Sequence, residues 1–359
     1  MEPIKLYAPD TYREPKISMH TELMFPFWGV TAKDTMPYMK AAALQYQYSK
    51  DDFVLVEKIE DADFVVIPYS YERFKVINPA KVQMIVSEAT NAQKPILVDG
   101  AGDLEYNIDI PNSVIFRVSQ YQYSKKPNEI TIPFPAEDLL ETYRGGELQI
   151  RKKPERPSVG FTGWAGMSLE RRFKTYVKEL PVTSAALIDE KRGAEHKGVL
   201  FRERALKALQ KNKFLEARFT ARSSYSGHVA TIQGSVADNR REFVENLLGS
   251  DYALCVRGDA NASVRFYEAL SLGRIPLFLD TACVLPLEDT INYRDFCVFV
   301  DWRDTDRIGD ILVDFHSSLT PQRFEEMQRE ARKAYREYLR FDSFSKHLSA
   351  MLRTYTNKI

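Results

Sequence analysis

Short apolar runs alternate with longer polar, helix-compatible segments through the first half of the chain. Lys5–Ala8 reads as a short opening strand, and Thr35–Tyr48 has helical spacing. Phe53–Val56, Phe64–Ile67, Ile96–Val98 and Val114–Phe116 are β-branched or aromatic runs of strand length, and Lys81–Ala92 predicts a helix between two of them. Strands that alternate with helices argue for parallel α/β architecture. The pattern breaks at 142–157, TYRGGELQIRKKPERP, where a Gly pair, two prolines and many charges read as a linker. A second series follows. Strands are predicted at Ser158–Thr162, Phe214–Thr220, Ala253–Val256, Ile275–Leu279 and Cys297–Val300. Helices are predicted at Phe201–Lys211, Arg240–Gly249, Asp306–Leu319, Pro321–Tyr338 and Ser343–Thr354. The chain thus divides into a doubly wound domain over 1–150, a second over 151–341, and a terminal helix in 342–359 expected to pack back on the first. Two such halves imply a cleft between them, with ligands held at the carboxyl ends of the strands.

Composition narrows this picture. At 359 residues the chain exceeds what one core usually organises, which supports two domains. Lys+Arg and Asp+Glu both number 50, so net charge gives no reason to expect a nucleic-acid partner. Cys255, Cys283 and Cys297 sit in or beside apolar segments and lack metal or disulfide spacing, so they read as buried free thiols. The start, MEPIKLYAPD, has no signal-peptide pattern, and no run approaches a membrane span. The expected location is cytoplasmic, with peripheral membrane contact through surface patches left open.

Candidate chemistry concentrates in 252–280, YALCVRGDANASVRFYEALSLGRIPLFLD. A buried strand ends at Val256 and is followed at once by Arg257. Gly258 permits a tight turn or close backbone approach. Asn261 and Ser263 suit the start of a helix, and Gly273 suits its end. Arg265 and Glu268 share one face of that helix. Cations at a helix N-terminus favour a diphosphate, and a carboxylate one turn on can accept ribose hydroxyls. This predicts a sugar-nucleotide site at Arg257, Gly258, Asn261, Ser263, Arg265 and Glu268. The bland alternative is a surface ion pair between Arg265 and Glu268.

Elsewhere the signals are weaker. Gly160, Gly163 and Gly166 do not match the dinucleotide fingerprint, although Thr162, Gly163 and Trp164 occupy the position of a cleft-lining loop. Asp61–Tyr71 and Ile96–Glu105 each place a buried strand before a polar loop. The acids Asp99, Asp103 and Glu105 are candidates for a base, and Asp103 is favoured because Gly100 and Gly102 leave room beside it. Helix capping is the bland reading of each. The five histidines are scattered, and His228 reads as a solvated loop residue. No convincing Asp-x-Asp pair is present, since the DAD at 61 opens a strand; a metal-independent reaction without a cofactor is expected.

On these residues the chain resembles the exostosin-like glycosyltransferases. RGDANASVRFYEALSLGRIPLFLD at 257–280 and CVLPLEDTINYRDFCVFVD at 283–301 carry the specific match, and DADFVVIPYS at 61–70 is similar in texture. The resemblance spans 60–340 and is specific only in 250–300. It implies a GT-B fold, two Rossmann-like domains facing a central cleft, with the nucleotide held mainly by the second. It implies inverting transfer of a hexosyl or pentosyl unit from a UDP-sugar to a saccharide hydroxyl in glycan or polysaccharide synthesis. Arg257 and Arg265 would hold the diphosphate, Arg265 would also stabilise the leaving group, and Glu268 would bind the ribose. Acceptor and base are not transferable, because the first half matches only in texture. The short N-terminus, without anchor or stem, looks like a soluble bacterial or viral member. A GDP-sugar donor is the nearest rival, because fucosyltransferases carry a similar helix–strand element. A nucleotide-sugar-binding protein without activity is the alternative from another class, and a dinucleotide oxidoreductase is weakened by the missing fingerprint.

Overall fold

The computed structural model describes residues 2–30, 37–102, 105–222 and 234–356. Its first sheet contains β1 (Ile4–Tyr7), β2 (Phe53–Leu55), β3 (Phe64–Ile67), β4 (Ile96–Asp99), β5 (Ser113–Arg117) and β6 (Glu129–Thr131), all parallel, in the order β2-β1-β3-β4-β5-β6. The second contains β7 (Ser158–Trp164), β8 (Glu216–Arg222), β9 (Tyr252–Cys255), β10 (Ile275–Asp280) and β11 (Val298–Asp301), also parallel, in the order β11-β10-β9-β7-β8. Each sheet therefore begins with its second strand, then its first, then its third. Chain direction reverses beside β1 in one domain and beside β7 in the other. Ligands in open α/β sheets bind at such reversal points, at the carboxyl ends of the strands.

Twelve helices connect and cover the sheets among the described residues. They are α1 (Phe25–Trp28), α2 (Pro37–Gln45), α3 (Tyr71–Ile77), α4 (Pro79–Asn91), α5 (Leu139–Arg144), α6 (Leu169–Ile188), α7 (Gly198–Lys211), α8 (Val236–Gly249), α9 (Val264–Ser271), α10 (Ile308–Ser318), α11 (Pro321–Ala334) and α12 (Phe341–Thr356). Central strands β3, β4, β9 and most of β10 are buried along their length, as expected for parallel strands covered on both faces. Edge strand β8 is polar and half exposed, and it starts at Glu216 rather than Phe214. The apolar Phe214 that suggested the earlier start is exposed in the preceding turn. Strand β6 was not anticipated, because EIT is short and carries one apolar residue.

Each sheet has its own hydrophobic core. Two segments cross between them. Helix α5 lies before residue 150 yet buries Leu139 and Leu140 in the second core. Helix α12 places Phe341, Phe344, Leu348 and Leu352 in the first core. The helix expected to run unbroken over Pro321–Tyr338 ends at Ala334, and a π-helical turn, Tyr335–Leu339, leads into α12.

A backbone clasp also joins the domains. Gln122 N donates to Ala282 O at 2.8 Å, and Val284 N donates to Gln120 O at 3.2 Å. Residues 119–123 of one domain and 281–284 of the other thereby hold a fixed register.

Candidate functional site

At the reversal point of the second sheet lies a cavity of about 360 Å³. Thr162, Gly163 and Trp164 line it from the end of β7, and Gly258, Asp259 and Ala260 from the loop after β9. Ser263, Val264, Arg265 and Glu268 of α9 form another wall. Val199 and Arg202 of α7, Arg222 at the end of β8, Ala262, and Val236, Asn239, Arg240 and Phe243 of α8 complete the second-domain lining, while Phe134 contributes from the linker side. The first turns of α7, α8 and α9 all meet this space. Three helix N-termini present partial positive charge and spare N–H groups there, a setting for an anion.

Arg265 is the central cation. Its Nη2 donates to the Thr162 carbonyl at 2.6 Å, and its guanidinium stacks 4.2 Å from the Phe161 ring centroid. Its Nε is buried without a hydrogen-bond partner, as is Thr162 Oγ1. No carboxylate salt-bridges Arg265 among the described residues, and burial pushes its basicity down. A half-buried guanidinium whose Nε is buried without a partner, beside an orphan hydroxyl, is costly in a resting protein and marks a ligand site. Gly163 makes this approach feasible. It has φ +153°, and a Cβ there would lie 2.8 Å from Arg265 Nη2.

The other cations are engaged. Arg240 donates to Glu268 Oε1 at 2.6 Å and to Glu137 Oε2 at 2.8 Å, so α8, α9 and the segment before α5 share one buried network. Burial opposes its charge, but the two carboxylates outweigh this and hold the guanidinium above its ordinary range. Arg222 pairs with Glu242, and Arg202 donates to Trp164 O at 3.2 Å. Glu268 keeps Oε2 without a hydrogen bond among the described residues. It lines the cavity, where it can accept from a ligand hydroxyl.

Of the residues expected from sequence, Gly258, Ser263, Arg265 and Glu268 line the cavity, and Arg257 and Asn261 do not. Arg257 turns toward the first domain. It donates to Tyr121 Oη, to Ala194 O at 3.0 Å and to Asp259 O at 2.6 Å, leaving few donors for a phosphate. Asn261 Nδ2 donates to Gln120 O at 3.1 Å and Thr281 O at 3.2 Å, and its backbone N donates to Ser119 Oγ at 2.7 Å. Both side chains bind the interdomain clasp. Ser263 stands at the N-terminus of α9, but its side chain makes no capping bond. Arg202, Arg240 and Phe243 were missed. The only sequence signal for the latter two was their i, i+3 spacing on a predicted helix.

Asp103 and His228 lie outside the described residues. Asp99 is buried at the end of β4, where Ala101 N donates to Oδ1 at 2.8 Å. Burial holds its carboxyl above the ordinary range against the pull of that bond, Thr21 and Arg117. Half-buried Glu22, missed by the sequence reading, is raised by burial and by Asp99. The pair sits at the carboxyl ends of the first sheet's strands, near buried His20, whose Nε2 meets Gly29 O at 2.5 Å. Glu105 Oε2 accepts from Ser124 Oγ at 2.7 Å. The three cysteines are free and buried, with Cys255 pushed up to about 12 by burial.

Residues 192–315 match the exostosin GT47 domain. The matched stretch holds α7, α8, α9 and the loop after β9, hence most of the cavity wall. An exostosin-1 homolog of Caenorhabditis elegans is 32% identical over 102 residues, 28% of this chain and 26% of the relative. A probable arabinosyltransferase, ARAD1, of Arabidopsis thaliana is 27% identical over 122 residues, 34% of this chain and 27% of the relative. The chain thus spans about a quarter of the length of these relatives. They are an animal and a plant protein, and the bacterial or viral type expected from the sequence finds no support in them. The crystal structure of a glycosyltransferase from Rickettsia africae ESF-5 aligns over 86% of this chain and 87% of its own, at 10% identity and a TM-score of 0.36, a likeness too weak to carry an argument.

Proposed function

We propose that this protein is a glycosyltransferase that takes a sugar from a UDP-sugar and transfers it, with inversion and without a metal, to a saccharide hydroxyl in glycan or polysaccharide synthesis. The observation that carries the proposal is Arg265. It is a half-buried guanidinium with a buried, orphan Nε, lining a cavity ringed by three helix N-termini inside the exostosin-matched segment.

The acceptor oxygen attacks the anomeric carbon as the bond from that carbon to the phosphate oxygen breaks. UDP leaves with the bonding electrons, and the acceptor proton passes to a base. Arg265 and the N-termini of α7, α8 and α9 stabilise the charge growing on the diphosphate, where preorganised donors act most strongly. Glu268, held by Arg240, accepts from the ribose. Gly258 and Ser263 let the backbone approach the phosphates. Arg257 and Asn261 serve the donor site indirectly, by fixing the loop that carries it. The base belongs to the first domain. Asp103 is the residue proposed for it, with the Glu22–Asp99 pair, held above the ordinary carboxyl range, as the alternative.

Thermal unfolding with UDP, GDP and their sugars tests the donor. UDP at a hundred times its dissociation constant should add about 2.7 kcal/mol of stability. Stabilisation by GDP alone would transfer the site to a GDP-sugar enzyme, and stabilisation by neither would refute the nucleotide reading. Binding of UDP-sugar without hydrolysis or transfer to any saccharide would favour a binding protein.

A further inference from the structure

The loop after β9, Arg257–Ser263, supplies Gly258, Asp259, Ala260, Ala262 and Ser263 to the cavity. Its backbone must hold one shape, because spare N–H groups grip a phosphate only when they point at it together. Inside the loop, Gly258 N donates to Ala262 O at 3.1 Å and Arg257 Nη2 to Asp259 O at 2.6 Å. From its own domain the first turn of α7 packs against it so closely that a Cβ on Gly198 would collide with the carbonyls of Arg257 and Gly258.

The first domain grips the two loop residues that turn away from the cavity. Ser119 Oγ accepts from Asn261 N at 2.7 Å, and Gln120 O accepts from Asn261 Nδ2 at 3.1 Å. Tyr121 Oη accepts from Arg257 Nη1. Three consecutive residues of one domain thus brace both ends of a loop in the other.

The brace has a rigid base. Gln120 is fully buried; its Nε2 donates to Glu129 Oε2 at 2.7 Å, and its Oε1 accepts from Thr131 Oγ1, both residues of β6. Glu129 in turn pairs with Arg117 of β5 at 3.0 Å, and both side chains are buried. Arg117 also donates to Gly100 O at 3.0 Å and to Tyr106 O at 2.7 Å, in the segment that follows β4. A buried polar network whose members satisfy one another rigidifies what it holds. Here one network carries the segment after β4 and, through 119–121, the loop after β9.

We infer that Ser119, Gln120 and Tyr121 of the first domain are positioning residues for donor binding in the second, although none of them lines the cavity. They fix the backbone of the phosphate loop, so nucleotide affinity depends on side chains that never meet the nucleotide. The inference deepens the nucleotide reading of the cavity and rests on it.

Calorimetric titration of the full chain with UDP, beside thermal unfolding, tests it. Ser119→Ala removes the acceptor of Asn261 N. Tyr121→Phe removes the acceptor of Arg257 Nη1 but keeps the ring, whose centroid lies 5.2 Å from that of Tyr123. Each should weaken UDP binding by about three- to tenfold, measured well below the melting temperature. Gln122→Ala is the control: it removes the interdomain bond from Gln122 Nε2 to Cys283 O, which lies outside the loop, and should leave UDP affinity unchanged. A merely structural role would lower melting temperatures while the folded variants keep wild-type affinity, and that result overturns the proposal. Equal weakening by Gln122→Ala also overturns it. If the wild type binds no UDP, the nucleotide reading fails, and hydrogen exchange over residues 257–263 of the ligand-free protein decides the positioning role. Faster exchange in Ser119→Ala and Tyr121→Phe than in Gln122→Ala supports it, and equal exchange refutes it.

Discussion

Arg265 Nη2 sits 2.6 Å from the carbonyl oxygen of Thr162, so the helix after β9 is tied to the end of β7 across the reversal point of the second sheet. That one bond orients a half-buried cation whose buried Nε and neighbouring Thr162 Oγ1 have no partners of their own.

Arg265→Ala should therefore abolish most donor use while leaving the fold intact. Losing a charge-assisted contact to the leaving diphosphate should cost about 2–4 kcal/mol in the transition state. The melting temperature should change little, because the lost bond to Thr162 O is offset by removal of a partly desolvated cation that forms no salt bridge among the described residues. Gly163→Ala should weaken UDP binding too, through its φ of +153° and the contact of a Cβ with Arg265. Titration calorimetry with UDP reads both variants, and wild-type affinity in Arg265→Ala would sink the assignment.

Arg257→Ala should behave differently. Its guanidinium bonds Tyr121 of the first domain and the carbonyls of Ala194 and Asp259. Stability should drop by about 1–3 kcal/mol as buried acceptors are left unpaired, with a smaller change in UDP affinity than in Arg265→Ala. A variant that melts normally yet loses UDP binding would restore the phosphate contact expected from sequence.

The Glu22–Asp99 pair predicts a pH dependence. Burial raises Asp99 from 3.8 to about 6 in the folded protein, so the folded state holds a proton that the unfolded chain has released. This contribution to stability is full below the unfolded value and is lost as pH rises through about 6. Asp99→Asn keeps an acceptor for Ala101 N and removes the titration. Its stability relative to wild type should rise from acid pH toward neutrality. Denaturant titrations at several pH values measure this, and a constant difference would exclude a raised Asp99.

Activity should persist in EDTA. Arg265 and three helix N-termini supply positive charge where a divalent ion would otherwise act. A sugar-transfer assay in chelator reads this directly, and loss of activity that manganese or magnesium restores would refute it.

The sequence alone determined the local architecture and its chemistry. β-Branched runs alternating with helical spacing place parallel strands, because a strand covered on both faces must be apolar throughout. Gly273, predicted to end the helix after β9, does so with φ +63°. Arg265 and Glu268 could be placed on one helix face because both lie within a single short-range unit. Tertiary structure decided what those side chains meet. Arg257 and Asn261 follow the same strand and carry equally suitable groups, but the first domain supplies Tyr121, Ser119 and Gln120, which draw them away from the cavity. Arg202 and Arg240 come from other helices, and their convergence depends on strand order, which local periodicity does not encode. The same holds for α6, whose Leu169, Phe173 and Leu180 have the spacing of a core stripe yet are exposed, while Thr175 and Glu179 are buried. A stripe shows in the sequence, but its direction is set by the contacts of Glu179 and Arg172 with residues far along the chain.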